Sequence, residues 1–266
     1  MITIQNYVKA KTLEEAWELN QKRSARVIGG MMWVRLSRKK VQTVIDLSGL
    51  GLEGVTETED AFEIGCMTTL REIEQHPGLN AFTGGAVRES VRHIVGVQFR
   101  NLATVGGSIF GRYGFSDVLT MFLALDAYVE LYKGGIIPLE TFAAMKKDND
   151  ILVKIIVKKN AAKTAYQSQR NTKTDFPVLA CAVSAENGKK AKAVIGARPQ
   201  RAVVIYDEEG ILADGITEES AKAFGVYVAS QVKTGTNMRA SAEYRQMIAE
   251  VLVKRACLSL GGGIQC

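Results

Sequence analysis

The chain has 266 residues, of which 47% are hydrophobic and 23% charged, and a formal net charge of +6. A chain of this length buries enough apolar surface to fold without disulfides or a structural metal. It is too long for one minimal domain, so we expect two compact units or one unit with a subdomain. No uninterrupted apolar run reaches the ~18 residues that a membrane span requires.

The four cysteines, at positions 66, 181, 257 and 266, are scattered without a C-x-x-C pair. This spacing fits neither a zinc site nor an iron–sulfur cluster. Isolated cysteines, and a start that lacks the features of a signal peptide, predict a cytoplasmic protein without membrane association. The basic residues are interspersed with 28 acidic ones, which favours a solvated surface over nucleic-acid binding.

Hydrophobic periodicity and capping residues predict the following elements in the first part of the chain. In order, they are a strand over 2–7, a helix that begins at Thr12, a strand that ends in Gly29-Gly30, strands over 41–47 and 62–65, a helix over 69–76 closed by Pro77-Gly78, a helix over 85–95, an irregular glycine-containing stretch over 96–115, a helix over 118–125 and a strand over 127–132.

After residue 150 the pattern changes to longer strands followed by two helices. We expect strands over 151–157 and 164–168, then a hairpin of strands 178–184 and 192–195 across Glu186-Asn187-Gly188-Lys189. Helices are predicted over 218–230 and 241–260. The change in pattern places a domain boundary near residue 158, with an α+β unit after it.

A formal G-x-G-x-x-G pattern, Gly49-Leu50-Gly51-Leu52-Glu53-Gly54, directly follows an apolar strand. A Rossmann site needs the third glycine to begin a helix whose amino end holds the pyrophosphate. Here the glycines lead into residues 55–62, which are acidic and strand-like. We therefore interpret the pattern as a flexible turn.

Two other glycine segments are candidates for contact with phosphate. Ile28-Gly29-Gly30-Met31-Met32 follows a buried strand, and glycines there let a ligand approach the main chain. In the second segment, Thr104 and Ser108 place hydroxyls on either side of Gly106-Gly107, and Asp117 follows. Hydroxyls suit phosphate, whereas a carboxylate accepts hydrogen bonds from ribose, ribityl or ring N–H groups. The residues alone leave a phosphate cradle and an ordinary glycine loop both open.

Residues 99–109, with Ser116-Asp117 and residues 123–127 after them, closely resemble the FAD-binding signature of the flavoprotein subunits of molybdenum hydroxylases. That family includes xanthine dehydrogenase and carbon monoxide dehydrogenase. Further blocks resemble the family in the same order and at similar separations, which is far more specific than any one block. These blocks are residues 27–30, 44–47, 64–69, 237–245 and 254–256.

The resemblance implies an α+β fold: a vanillyl-alcohol-oxidase-type (PCMH-type) FAD-binding domain of two α+β subdomains, and a C-terminal α+β domain. The FAD-binding domain would span 1–158, with subdomains of about 1–54 and 55–158, and the C-terminal domain would span 159–266. By motif position, the expected FAD-binding residues are Val27, Ile28, Gly29, Gly30, Met31 and Met32 around the pyrophosphate, Thr104, Gly107 and Ser108 along the phosphate and ribityl region, Asp117 at a polar edge of the cofactor, Val95 and Gly96 close to it, and Leu152 against the flavin ring. Leu152 has an equal alternative as a core strand residue.

The resemblance also implies a relay of electrons. A molybdopterin-containing catalytic subunit would oxidise the substrate, an iron–sulfur subunit would pass the electrons on, and the FAD of this chain would deliver them to NAD or another acceptor. We assign no catalytic or metal-binding residue, because the sequence has no nucleophile elbow, P-loop or H-E-x-x-H motif and its two histidines lack metal-pair spacing. The alternative is a cofactor-free assembly or scaffold protein with the same fold.

Two positions depart from the family's pattern. Gln167 stands where the family often has a lysine near the flavin, and Ser108 stands where many relatives have asparagine. A hydroxyl still donates and accepts hydrogen bonds, so we expect FAD binding to be kept. An amide at position 167 can donate a hydrogen bond but places no cation beside the flavin. These departures keep the scaffold alternative open.

We predict that Gln167→Lys raises the two-electron reduction potential of the bound flavin. The added cation would stabilise the reduced, negatively charged flavin, which the amide does not. Potentiometric titration of the flavin in the wild-type and variant proteins measures the difference. An unchanged or lower potential in the lysine variant contradicts the assignment of Gln167.

Overall fold

The computed structural model describes residues 1–186 and 189–261, and this part of the chain contains twelve strands and ten α-helices. The strands are β1 (Thr3–Lys9), β2 (Ala25–Ile28), β3 (Lys40–Asp46), β4 (Val55–Glu57), β5 (Ala61–Gly65), β6 (Ala127–Leu131), β7 (Gly135–Pro138), β8 (Leu152–Lys158), β9 (Lys163–Arg170), β10 (Pro177–Ala185), β11 (Lys192–Gly196) and β12 (Val203–Tyr206). The helices are α1 (Leu13–Asn20), α2 (Leu70–Gln75), α3 (Pro77–Phe82), α4 (Ala86–Val91), α5 (Val97–Arg100), α6 (Val105–Phe110), α7 (Asp117–Ala124), α8 (Leu139–Ala144), α9 (Glu218–Gln231) and α10 (Ala242–Leu260).

By its internal contacts the chain divides into two compact units, and neither is continuous in sequence. Unit 1 comprises Met1–Ile73, Val97–Gly111 and Ala127–Lys158. Unit 2 comprises Glu74–Gly96, Arg112–Asp126 and the chain from Lys159 onward. The sequence-continuous domains expected from the family, 1–158 and 159–266, stay a prediction.

The first sheet of unit 1 has three parallel strands in the order β1-β3-β2. The central strand β3 buries Val41, Val44 and Ile45, which fix it as the core strand of the sheet. All three strands are parallel, so their amino ends lie at one edge of the sheet and their carboxyl ends at the other. The Gly29-Gly30 segment therefore leaves the sheet at its carboxyl edge.

The second sheet of unit 1 is antiparallel, with five strands in the order β4-β5-β8-β6-β7. Its centre is apolar because Ile155 on β8 stands opposite Ile64 on one neighbour and Val129 on the other, and all three are fully buried. The predicted strands over 62–65, 127–132 and 151–157 are confirmed. The turn over residues 49–54 leads into strand β4, so its interpretation as a turn is also confirmed.

The stretch over 96–115, which we predicted to be irregular, contains the two short helices α5 and α6. That prediction was wrong for these two segments, and in α6 two of the glycines of this stretch, Gly106 and Gly107, lie inside the helix. The Thr104 hydroxyl caps α6 by accepting a hydrogen bond from the Gly107 N–H at 3.1 Å, and Val105 and Ile109 are fully buried. Burial of these apolar side chains compensates for the low helix propensity of glycine.

Unit 2 contains an antiparallel sheet of four strands in the order β12-β11-β10-β9. Helices α9 and α10 cover one face, where Cys181 and Ile195 pack in a core with Phe224 and Leu252. Helix α7 covers the other face, where the Lys192 ammonium donates to the last carbonyls of the helix at 2.9 and 3.0 Å. The predicted hairpin of β10 and β11 is confirmed, although its turn residues 187 and 188 lie outside the described part of the chain.

Arg245 on α10 is fully buried and fastens the segment that precedes the helix. Its guanidinium donates to the carbonyls of Val178, Gly235 and Ala240 at 2.8, 2.6 and 2.7 Å. It also donates to the amide oxygen of Asn237 at 2.6 Å. One side chain therefore holds both ends of the segment over 235–240 and joins it to β10.

We predict that Arg245→Met lowers the free energy of unfolding by about 3 kcal/mol, because it leaves several buried oxygen acceptors unsatisfied. Urea denaturation measures the loss. Arg255→Met is the matched control, because Arg255 lies on the same helix with an exposed side chain and should change stability by less than about 0.5 kcal/mol. Equal stabilities of the two variants would show that the Arg245 contacts contribute nothing net.

Candidate cofactor-binding site

The two glycine segments of unit 1 lie directly against each other. A Cβ atom added at Gly30 would overlap the carbonyl oxygen of Leu102, and one added at Gly29 would overlap the Thr104 hydroxyl oxygen. These positions tolerate no side chain while the second segment stays in place. The structure therefore brings together the two segments that the sequence nominated separately.

The first segment presents a row of unpaired backbone donors. Within the described part of the chain, the N–H groups of Gly29, Gly30, Met31 and Met32 donate to no protein acceptor. These residues are only partly buried, and Met31 has the left-handed backbone conformation, with φ of 56°. Successive N–H groups in such a turn form a concavity that binds anions. This loop can therefore hold a pyrophosphate by its main chain alone.

In the second segment, residues 104–108, the backbone N–H groups of residues 105–108 are paired within the protein. The N–H groups of Val105 and Gly106 donate to the carbonyls of Thr68 and Cys66, each at 2.9 Å. The Ser108 N–H donates to the Thr104 carbonyl at 3.1 Å, and the Ser108 hydroxyl donates to the same carbonyl at 3.0 Å. The N–H groups at the start of α6 are thus satisfied within the chain, so the helix offers a ligand the Thr104 hydroxyl and, as an acceptor, the Ser108 hydroxyl oxygen.

Gly107 has open space on the side where a Cβ would stand. Apart from its own helix, a Cβ there would meet one atom, the Thr104 hydroxyl oxygen at 3.1 Å. The glycine therefore exposes the main chain to the close approach of a ligand beside that hydroxyl. This open cradle next to unpaired N–H groups fits the phosphate region of a dinucleotide such as FAD.

An aromatic contact holds the two segments in register. Trp33 follows the first segment and packs against Phe99 of α5, with ring centroids 5.1 Å apart and planes inclined by 55°.

Leu152, also in unit 1, is buried at the start of β8 with Leu131 as its strand partner. That position agrees with the core alternative for Leu152 and leaves its contact with the flavin a prediction.

In unit 2, Val95 has a strained backbone. Its φ of 52° lies in the left-handed region, which is a true outlier for a β-branched residue. Its side chain is 41% exposed, so no buried packing explains the conformation. Strain of this kind is characteristic of functional sites. We therefore retain Val95 and its neighbour Gly96 as predicted cofactor contacts.

Asp117, the first residue of α7, is committed to protein partners. Its carboxylate accepts a hydrogen bond from the Arg170 guanidinium at 2.7 Å and another from the Tyr166 hydroxyl. Burial raises the pKa of the Asp117 carboxyl, and the adjacent Arg170 cation opposes that rise. The sequence analysis missed Tyr166 and Arg170, although alternation along β9 places both on one face of the sheet.

Gln167 lies on the other face of the same strand. It stands opposite Cys181, which packs with α9 and α10, whereas Tyr166 reaches Asp117 on the α7 face. The structure therefore does not bring Asp117 and Gln167 together on one surface of the sheet. Their predicted contacts with opposite parts of one cofactor stay predictions.

Other site types are not seen among residues 1–186 and 189–261. There, no three His, Cys, Asp or Glu residues are grouped to hold a metal ion, and no helix is long and apolar enough to cross a membrane. Cys66, Cys181 and Cys257 are buried and unbridged, while Cys266 lies outside the described residues. Burial raises the pKa of the Cys66 thiol to about 12, which keeps it protonated and unreactive.

Comparison with known proteins defines the class. Residues 2–159 match the family model described as the FAD binding domain in molybdopterin dehydrogenase. Residues 164–260 match the CO dehydrogenase flavoprotein C-terminal domain. The chain therefore belongs to the molybdopterin dehydrogenase flavoprotein family, and the expected resemblance, FAD cofactor and class of oxidoreductase subunit are confirmed.

Individual relatives are distant but cover nearly the full chain. The carbon monoxide dehydrogenase medium chain of Hydrogenophaga pseudoflava is 24% identical over 85% of this chain and 83% of its own. A putative xanthine dehydrogenase FAD-binding subunit of Escherichia coli K12, XdhB, is 23% identical over the whole of both chains. A solved chain of carbon monoxide dehydrogenase from H. pseudoflava superposes with a TM-score of 0.83 at 22% identity, covering 97% of this chain and 96% of that chain. The predicted fold class is thereby confirmed.

We predict that Gly30→Ala lowers both the stability of unit 1 and its FAD content, because the added methyl group must displace the Leu102 carbonyl. The free energy of unfolding should fall by about 2 kcal/mol. Gly49→Ala is the control, since its nearest obstacle is the flexible end of Lys9, at 2.9 Å. Wild-type stability and FAD content in Gly30→Ala would show that the two segments do not constrain each other.

Proposed function

We propose that this chain is the FAD-binding electron-transfer subunit of a molybdenum hydroxylase complex. The observation that carries the proposal is the contact of Gly29-Gly30 with residues 102–104, which places four successive unpaired N–H groups beside the Thr104 hydroxyl. A dinucleotide pyrophosphate needs several N–H donors and close approach to the main chain. The family match supports FAD as that dinucleotide.

The predicted residues other than Asp117 and Gln167 would each have a defined task in binding FAD. The main chain of residues 27–32 would hold the pyrophosphate, and Gly107 would let it approach the backbone. The Thr104 hydroxyl would donate to a phosphate or ribityl oxygen, and the Ser108 hydroxyl, which donates to the Thr104 carbonyl, would accept from a ribityl hydroxyl. Val95 and Gly96 would lie close to the cofactor, and Leu152 would lie against the flavin ring. FAD, when bound, supplies the redox chemistry by taking up electrons singly and releasing them in pairs. The chain's residues would position the cofactor.

The electrons would come from an iron–sulfur subunit, which receives them from a molybdopterin-containing catalytic subunit. The family description names molybdopterin dehydrogenases, and the carbon monoxide dehydrogenase relative is called a medium chain. Both names support a complex of several different subunits. NAD, or another acceptor, would take the electrons from the flavin, and the complex would be cytoplasmic.

One observation favours the rival function, a scaffold protein that has the fold without the cofactor. The Asp117 carboxylate is already bound by Arg170 and Tyr166, and Gln167 lies on the opposite face of the sheet. Of the predicted cofactor ligands in unit 2, Asp117 therefore binds other side chains of the protein, and Gln167 lies on the face of the sheet away from Asp117. The row of unpaired N–H groups in unit 1 weighs against this rival, because a scaffold has no use for it.

Titration of the purified chain with FAD separates the two functions. We expect a yellow protein that binds one FAD per chain, whose melting temperature rises with FAD concentration. Gly107→Ala should weaken FAD binding about tenfold, or ~1.4 kcal/mol, by filling the open side of the cradle. Gly49→Ala should bind FAD like the wild type. A protein that is colourless and remains so after incubation with FAD would establish the scaffold function instead.

A further inference from the structure

The excess of positive over negative charge in the chain originates in one short segment. Residues 19–45 contain seven basic residues and no acidic residue, while the rest of the chain has 27 basic and 28 acidic residues. The whole net charge of +6 therefore originates in this segment. Six of the seven side chains are exposed: Lys22, Arg23, Arg35, Arg38, Lys39 and Lys40. We call these six residues the basic edge.

The basic edge lies at the amino edge of the three-stranded sheet. Lys22 and Arg23 immediately precede β2, and the Ser24 carbonyl accepts a hydrogen bond from Gln42 at 3.0 Å, beside Lys40. The carbonyls of Arg35 and Lys39 accept hydrogen bonds from the N–H groups of residues 2 and 3 at the start of β1. The beginnings of all three strands thus bring the six cations together.

These cations are not neutralised within the chain. None of the six side chains forms an ion pair or a hydrogen bond with any residue that the structure describes. Elsewhere in unit 1, by contrast, Lys133 pairs with Glu14, and Lys154 with Glu63 and Glu130. An unneutralised cluster repels itself and costs stability, and an anionic surface bound against it removes that cost.

The cofactor does not need this charge. The Gly29-Gly30 segment leaves β2 at the carboxyl edge of the sheet, whereas the basic edge occupies the amino edge. A phosphate held by residues 29–32 is therefore served by backbone donors at the far end of β2. The basic edge is left for a different, larger anionic partner.

We propose that the basic edge docks an acidic protein surface, namely a face rich in Asp and Glu on a partner subunit of the complex. The inference rests on the proposed function for the existence of that subunit. Leu36, 64% exposed, stands among the cations and supplies an apolar contact of the kind that protein interfaces bury. Complementary charge around it would speed association and select the orientation.

A nucleic acid suits the basic edge less well. Non-specific binding of single strands combines cations with aromatic rings on which bases stack. Trp33 is the one aromatic residue of the segment over 19–45, and its ring is engaged with Phe99. The helix closest to the basic edge in sequence is a single 3₁₀ turn over Val34–Leu36, too short to enter a groove.

The test begins with the native complex, purified through a tag on this chain, its subunits identified by mass spectrometry. A carbodiimide joins a lysine amine to a carboxylate as an amide, with loss of water, and so reports direct ion pairs. We expect Lys22, Lys39 and Lys40 to be joined to Asp or Glu residues of another identified subunit. Failure of all three to reach another subunit, or purification of this chain without one, overturns the proposal.

Reversing the charge of the basic edge measures how much it contributes to the affinity for that subunit. Arg23→Glu/Arg38→Glu/Lys39→Glu should weaken association with that subunit at least about tenfold at low salt, and the difference should shrink as salt rises. The control, Lys173→Glu/Lys222→Glu/Lys233→Glu, makes the same charge change at exposed positions of unit 2 and should bind normally. Equal affinities of the two variants, or a loss confined to binding of a poly(dT) oligonucleotide, overturn the proposal.

Measuring the FAD content of each variant distinguishes a failure of the docking proposal from a failure of the proposed flavin function. The triple variant should retain wild-type FAD, because the altered residues lie away from the unpaired N–H groups. A wild-type complex that forms through the basic edge but contains no FAD would refute the flavin function and leave the docking surface standing. If the chain contains FAD but the charge reversal leaves its association with the partner subunit unchanged, the docking surface is refuted and the flavin function stands.

Discussion

The structure of unit 1 depends on the contact between Gly29-Gly30 and residues 102–104. That contact is possible because neither glycine carries a Cβ, and it brings β2 and α6 to one place. Thr104 takes part twice, since its hydroxyl lies against Gly29 and also caps α6. With the α6 backbone satisfied by its own surroundings, the unpaired N–H groups of the first segment become the donors for phosphate.

Unit 2 contains buried charged side chains that join its helices to its sheet. Asp117 and Arg170 join α7 to one face of the four-stranded sheet, and Arg245 joins α10 and the preceding segment to β10. Removing one partner from such a contact leaves the other buried without a compensating charge or hydrogen bond, which destabilises the fold. These residues therefore fix the arrangement of the helices, and the carboxylate that resembles a cofactor ligand in sequence has a structural partner in the fold.

Much of the fold could be predicted because local pattern and global burial agree. The alternation in β5, the apolar run of β10 and the capping residue of α10 each indicate the element that forms. Helix α6 could not be predicted, because Gly106 and Gly107 indicate irregular chain until tertiary burial compensates, and α5 has only four residues. The candidate site was nominated residue by residue, but its two essential properties depend on contacts distant in sequence: the fit of Gly30 against Leu102, and the unpaired N–H groups beside Thr104.

The central claim is that the first glycine segment holds the cofactor by its main chain while the second contributes hydroxyls and open space. A crystal structure of the purified chain with FAD tests it most directly. The account predicts pyrophosphate oxygens at hydrogen-bonding distance, about 3 Å, from N–H groups of residues 29–32. A pyrophosphate bound to other backbone, with these N–H groups turned to solvent, would contradict it.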